Sequence, residues 1–172
     1  MTNVTQSETT HAGALAQIVC PSCVTPNRVA PGSDVQAVKC EKCGTALFQG
    51  MPLDVDDELL QRHIALTSDA VLVVVWAPWC GACQFIESDL IDAAGRLEPG
   101  VRLLKLNSND SESARGFGLN GIPALLLFSA GKEAGRTVGA MTADQIVDWT
   151  HARLQASAQS TVRSPGANRA RA

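Results

Sequence analysis

Six cysteines fall into three Cys-x-x-Cys units: Cys20-Pro-Ser-Cys23, Cys40-Glu-Lys-Cys43 and Cys80-Gly-Ala-Cys83. Two intervening residues bring paired sulfurs close enough to grip a metal ion or to close a disulfide, so spacing within a unit does not assign its chemistry. Context divides them. The first two units are separated by sixteen residues, inside the window expected of a zinc ribbon. Four thiolates about 2.3 Å from one ion complete a tetrahedron and leave no coordination position open, which is a structural arrangement and not a catalytic one. Gly44, directly after Cys43, suits the tight turn such a site requires. The surrounding segment has few large apolar side chains, so a bound ion would supply its folding free energy. The competing reading of Cys20, Cys23, Cys40 and Cys43 is four free thiols, or two disulfides, in a loose extension.

Cys80 and Cys83 have no second pair to complete a metal site. They follow the run "AVLVVVWA" and precede residues with helical spacing, which places them at a strand-to-helix junction. There, unsatisfied amide N–H groups and the helix dipole stabilise a thiolate relative to free cysteine, whose pKa is about 8.5. Cys83, nearly one turn on, shares a face with Cys80 and lies deeper. The expected chemistry is thiol–disulfide exchange, with Cys80 attacking and Cys83 resolving.

The elements that must position these thiols are legible around them. Asp54 or Asp56 can cap a helix carrying Leu59, Leu60, Ile64 and Leu66 on one face. "AVLVVVWA" is too apolar to alternate and suits a central strand covered on both sides. Phe85, Ile86, Leu90 and Ala93 or Ala94 continue a helix until Gly95 or Pro99. "VRLLKLN" and "ALLLF" are further strands, Ser111 to Phe117 a short helix, and "SAGKE" turns the chain into "AGRTVG" as an antiparallel hairpin. Thr142 with Gln145 forms a capping box for a last helix with Ile146, Val147, Trp149, Thr150 and Leu154. Strands alternating with helices predict an α/β fold with a mixed sheet flanked by helices. The predicted organisation is a disordered tail over 1–17, a four-cysteine zinc-binding module over 18–49, the α/β domain over 50–155, and a disordered tail over 156–172.

Composition narrows the function. With 45% hydrophobic and 18% charged residues among 172, and a net charge of -3, nothing provides a nucleic-acid footprint. The longest apolar runs are too short to span a bilayer, and the N-terminus lacks the charged and apolar regions of a secretory signal. The expectation is a soluble cytoplasmic monomer, in a compartment where thiols stay reduced.

The stretch "VLVVVWAPWCGACQF", followed by "KLN" at Lys105 and "GIPALLLF" at Gly121, resembles the thioredoxin family. With the four-cysteine extension, 18–154 is similar to the zinc-containing bacterial branch, thioredoxin 2. The resemblance implies a thioredoxin fold with a small zinc-ribbon-like module holding one structural Zn2+, and protein-disulfide reductase activity on protein disulfides. It also implies regeneration by an NADPH-dependent thioredoxin reductase, the chain itself having no nucleotide or flavin. It further makes Pro123 a cis-proline facing the dithiol, with the Ile122 backbone receiving a bound substrate as an added strand; the plainer reading of Pro123 is a proline at a strand start. Trp76 and Trp79 would flank the site, Trp79 being the better candidate for substrate contact and Trp76 alternatively a core residue, and Gly81 and Ala82 would border that substrate. Gly139 matches a glycine that keeps the groove open, or else is a turn at a strand end. Two functions compete with the reductase: a redox-sensitive zinc protein or chaperone-like module with a regulatory dithiol, and an oxidase or isomerase.

Three departures from the family pattern stand out. Val74 occupies the position of a buried Asp that assists proton removal from the resolving cysteine, so resolution should be slower and Lys105 should lack its partner. Ala82 replaces the proline between the cysteines, which predicts a less reducing potential. Ser88 replaces a kinking proline, which predicts a straighter active-site helix.

Overall fold

The computed structural model describes residues 15–162. A five-stranded sheet forms the centre, built from β3 (Leu53–Val55), β4 (Ala70–Trp76), β5 (Val101–Asn107), β6 (Ala124–Ser129) and β7 (Lys132–Val138). The strand order is β3-β5-β4-β6-β7; β3 and β4 run parallel to β5, whereas β6 runs antiparallel to β4, and β7 to β6. Ahead of it, β1 (Ala16–Val19) and β2 (Pro26–Val29) pair as a two-stranded antiparallel ribbon.

β4 is central because both of its faces are apolar, and each is covered. Leu72 and Val74 pack with Leu103, Leu125 and Leu127 under α3 (Glu87–Leu97) and α5 (Ala143–Val162). Val71, Val73 and Val75 pack with Leu104 and Leu126 under α1 (Asp57–Leu66) and α4 (Glu112–Gly116). Asp56, one of the two candidate caps, accepts from the Leu59 amide at 2.8 Å. The capping box at Thr142 forms as read: its N–H donates to Gln145 Oε1 at 3.0 Å, and the Gln145 N–H donates back to Thr142 Oγ1 at 3.4 Å. The β6–β7 hairpin closes through Ala130 and Gly131, with φ of 49° and 75°, the two positive values of a type I′ turn.

Several boundaries and environments differ from the sequence reading. β1 starts at Ala16, and α5 runs to Val162, beyond the expected end of the domain at 155. The rest of the two tails, 1–14 and 163–172, lies outside the described residues. Phe85, one of the apolar residues read at helical spacing, is 84% exposed. The active-site helix is not straight: α2 (Gly81–Phe85) and α3 are separated by Ile86, whose φ and ψ of -91° and 4° interrupt the helix without any proline. That break rotates the buried face, so Ile86 enters the core and Phe85 faces solvent.

The cysteine-rich segment docks at the end of the sheet where β4 and β5 begin. Gln17 N–H donates to Ser68 Oγ, Gln17 C=O accepts from the Ser68 amide, and Gln17 Nε2 donates to Leu66 O. Arg102 Nη2 donates to Leu47 O, its guanidinium lies over the Phe48 ring, and Nη1 reaches Glu98 Oε1 at 2.9 Å. Glu98 Oε2 accepts from the Gly50 amide at 2.6 Å. Burial pulls the guanidinium of Arg102 below its ordinary pKa, and the Glu98 carboxylate opposes the shift.

Candidate redox site and metal centre

Cys80 ends the loop after β4 and serves as the N-cap of α2, its backbone extended and its sulfur accepting from the Cys83 amide at 3.2 Å. Cys80 and Cys83 are joined by a disulfide with their Cα atoms 5.3 Å apart. Both are buried, at 6% and 4% exposure, so depth alone does not rank them. Their surroundings do. Cys80 Sγ lies 3.8 Å from the Ile122 carbonyl oxygen, whereas Cys83 borders a separate cleft with Trp76, Gln84, Glu87 and Lys105.

The residues expected to border a substrate gather on the Cys80 side. Ile122–Pro123 is cis, as is Glu98–Pro99, which the sequence reading did not anticipate. Trp79 is 71% exposed, and its indole N–H donates to Asn109 Oδ1 at 2.9 Å, which holds the ring beside a groove of about 310 Å³ lined by Ile122, Gly121, Arg115 and Leu119. Gly81 and Ala82 are exposed on the first turn of α2. Gly139 is both a strand end and a neighbour of the groove: it follows β7, and its N–H donates to Pro123 O at 2.8 Å. A Cβ there would meet no atom within 4 Å, but its φ is +121°, so the backbone conformation and not space requires glycine. Trp76 is half-buried with its indole nitrogen unpartnered.

Lys105 is not left without a carboxylate. Val74, fully buried, sits opposite it in the β4–β5 register. Yet Lys105 Nζ donates to Glu87 Oε1 at 2.7 Å, has Asp54 Oδ1 at 3.8 Å, and lies 4.9 Å from the Trp76 ring centroid. The anion has moved from the strand to the following helix.

The other four cysteines converge. Every pair of Sγ atoms among Cys20, Cys23, Cys40 and Cys43 lies within 4.8 Å, with Cys20–Cys43 and Cys23–Cys40 both at 3.6 Å. A tetrahedral zinc site with Zn–S bonds of about 2.3 Å has edges of about 3.8 Å, so the donor set and its spread fit one zinc ion. The two units repeat one backbone pattern: the Cys20 and Cys40 amides donate to Thr25 and Thr45 carbonyls, and their own carbonyls accept from Val24 and Gly44. Gly44 adopts the expected positive φ of 76°; its counterpart Val24 takes 58° despite its branched side chain. Burial pushes the Cys20 thiol up to about 11, and hydrogen bonding with Thr45 draws exposed Cys43 down to about 6.

Residues 52–152 match the Thioredoxin family. The chain belongs to the thioredoxin family. Thioredoxin C-3 of Corynebacterium nephridii is 27% identical over 139 residues, spanning 80% of this chain and 95% of that protein. That span is too long to fit between residue 52 and the C-terminus, so it reaches into the four-cysteine segment. The chloroplastic M-type thioredoxin of Chlamydomonas reinhardtii is 33% identical over 94 residues, 54% of this chain and 67% of the relative. Among solved structures, a point-mutant thioredoxin from Halobacterium salinarum superposes with a TM-score of 0.55 at 26% identity, covering 62% of this chain and 93% of that one. The thioredoxin fold read from the sequence is therefore the fold observed, and membership brings thiol–disulfide redox chemistry, with disulfide substrates and reductase partners in general. No described helix is long and apolar enough to cross a membrane.

Proposed function

We infer that this chain is a protein-disulfide reductase of the zinc-containing thioredoxin 2 type, acting in the cytoplasm as a monomer. The observation that carries the reading is the Cys80–Cys83 pair at the mouth of α2, with Cys80 turned toward the Ile122 edge of an open groove. In the reduced protein, the Cys83 amide that donates to Cys80 Sγ favours the Cys80 thiolate. That thiolate attacks a substrate disulfide and releases one substrate thiolate; Cys83, once deprotonated, attacks Cys80 Sγ and releases the second. Two electrons pass to the substrate and the dithiol becomes a disulfide, which an NADPH-dependent thioredoxin reductase reduces. Substrate chain pairs with the Ile122 backbone beside Pro123 and Gly139, and Trp79, Gly81 and Ala82 border it.

Cys20, Cys23, Cys40 and Cys43 would hold one zinc ion, which supplies folding free energy to the module and takes no part in exchange. The deciding experiment is insulin reduction with NADPH and a thioredoxin reductase, comparing wild type with Cys80→Ser. Turnover by wild type and none by the variant is expected; full activity in the variant rejects the reading. Metal analysis of the same sample should return one zinc per chain.

One observation favours a second reading, a redox-sensitive zinc protein with a regulatory dithiol: Cys43 is exposed among the four ligands and open to oxidants. Zinc release by peroxide coupled to a gain in partner binding would support it.

A further inference from the structure

The resolving step needs a base for Cys83, and Val74 cannot provide one. Val74 is fully buried and lies in register between Lys105 of β5 and Leu125 of β6, among apolar neighbours. Toward the end of β4 the same face of the sheet becomes polar. A cleft of about 340 Å³ is lined by Cys83, Trp76, Gln84, Glu87 and Lys105. A water occupies about 30 Å³ of liquid volume, so several fit, and the polar groups they need are on its walls. Glu87 stands one helical turn after Cys83, across the break at Ile86. Its carboxylate is half exposed and therefore solvated, while the Lys105 side chain that grips it is 11% exposed.

We propose that Glu87, held at the mouth of this cleft by Lys105, accepts the Cys83 proton through water when the mixed disulfide is resolved. The proton leaves Cys83 Sγ for a bridging water, which passes one to the Glu87 carboxylate. The Cys83 thiolate then forms the bond to Cys80 Sγ as the bond from Cys80 to substrate sulfur breaks, and Glu87 returns its proton to solvent. Lys105 is a positioning residue in this scheme: it fixes the carboxylate on the Cys83 side, with Asp54 of β3 behind it at 3.8 Å. Cys80 faces the Ile122 edge of the dithiol and not this cleft, so its own attack does not use Glu87. The charged or titratable groups lining the cleft with Glu87 are Lys105 and Cys83, and Asp54 reaches Lys105 from β3.

The proposal rests on the reductase reading, and the test separates the two. In single-turnover exchange with a chromogenic disulfide, formation and resolution of the mixed disulfide are followed separately in the full-length protein. Glu87→Gln keeps a hydrogen-bonding partner for Lys105 and should leave formation unchanged. Resolution should slow at least about tenfold, below the usual general-base range of about 10²–10⁴ because bulk water substitutes in part. In that variant the resolution rate should depend more steeply on pH than in wild type, because hydroxide must then remove the Cys83 proton. Glu87→Asp should recover part of the rate, as should added acetate with Glu87→Ala, and neither recovery follows from a structural role. Resolution within twofold of wild type in Glu87→Gln, with an unaltered pH profile, overturns the proposal. Failure of wild type to form a mixed disulfide at all would instead reject the reductase reading.

Discussion

Replacing Arg102 by alanine should loosen the cysteine-rich segment from the sheet and lower the stability of the whole chain. The Arg102 and Glu98 side chains are each 4% exposed and make a 2.9 Å contact. Charges about 4 Å apart at an effective dielectric of about 20 attract by about 4 kcal/mol, and removing one member of a buried pair costs about 3–5 kcal/mol because the other is left uncompensated. The Leu47 carbonyl loses its donor and the Phe48 ring its cation in the same change. For a chain of this length, the loss corresponds to a drop in melting temperature of about 6–20 °C. Thermal and urea unfolding of Arg102→Ala give the number. Glu98→Met combined with Arg102→Met leaves neither charge stranded and should cost only about 2 kcal/mol, for the lost hydrogen bonds to the Gly50 amide and the Leu47 carbonyl. A cost below about 1 kcal/mol for Arg102→Ala, or a double variant as unstable as the single one, refutes the reasoning. Exchange activity of the folded variant should be retained. Arg102 pairs with Val71, five residues before Trp76 in β4, which is roughly 16 Å along a strand at about 3.3 Å per residue.

Three further outcomes are expected. His63 is buried with neither ring nitrogen partnered, and burial, aided by the Arg102 charge, lowers its pKa from 6.5 to about 4; the unfolded state therefore binds more protons between those values, and stability should fall by up to about 3 kcal/mol as pH drops through that window, a slope that His63→Leu removes in urea titrations. Val24→Gly relieves a branched residue at positive φ, worth about 1–2 kcal/mol, against about 0.5–1 kcal/mol of added chain entropy, and should tighten zinc retention about two- to fivefold in competition with a chelator. Ala82→Pro should make the dithiol more reducing by some tens of millivolts in a glutathione titration, and wild type should lie above the about -270 mV of thioredoxin.

The strands β4, β5 and β6 were legible because continuous β-branched and leucine runs need cover on both faces, and the caps at Asp56 and Thr142 because side-chain capping is local in sequence. β3 escaped notice since three residues, Leu53–Val55, carry no period. The end of α5 did as well: "ASAQS" has residues compatible with a helix but no apolar stripe to distinguish it from a tail. The cysteines are assigned from spacing and context and the groove residues from the family resemblance, whereas the Glu87–Lys105 pair is not. Glu87 and Lys105 are eighteen residues apart in the chain, and only folding brings them together. Arg102 left one signal, a charge in the interior of an apolar strand, but its partners Leu47 and Phe48 come from a segment more than fifty residues away. Phe85 was misplaced because a regular helical period was carried through Ile86, where the backbone does not keep it.

The cysteine-rich segment meets the sheet where β4 and β5 begin, and the dithiol stands where β4 ends. The two ends are separated by the seven residues of β4, so a partner held at the first should leave the second accessible. Fusion or immobilisation through the four-cysteine end should thus orient the exchange site outward, toward whatever is brought to it.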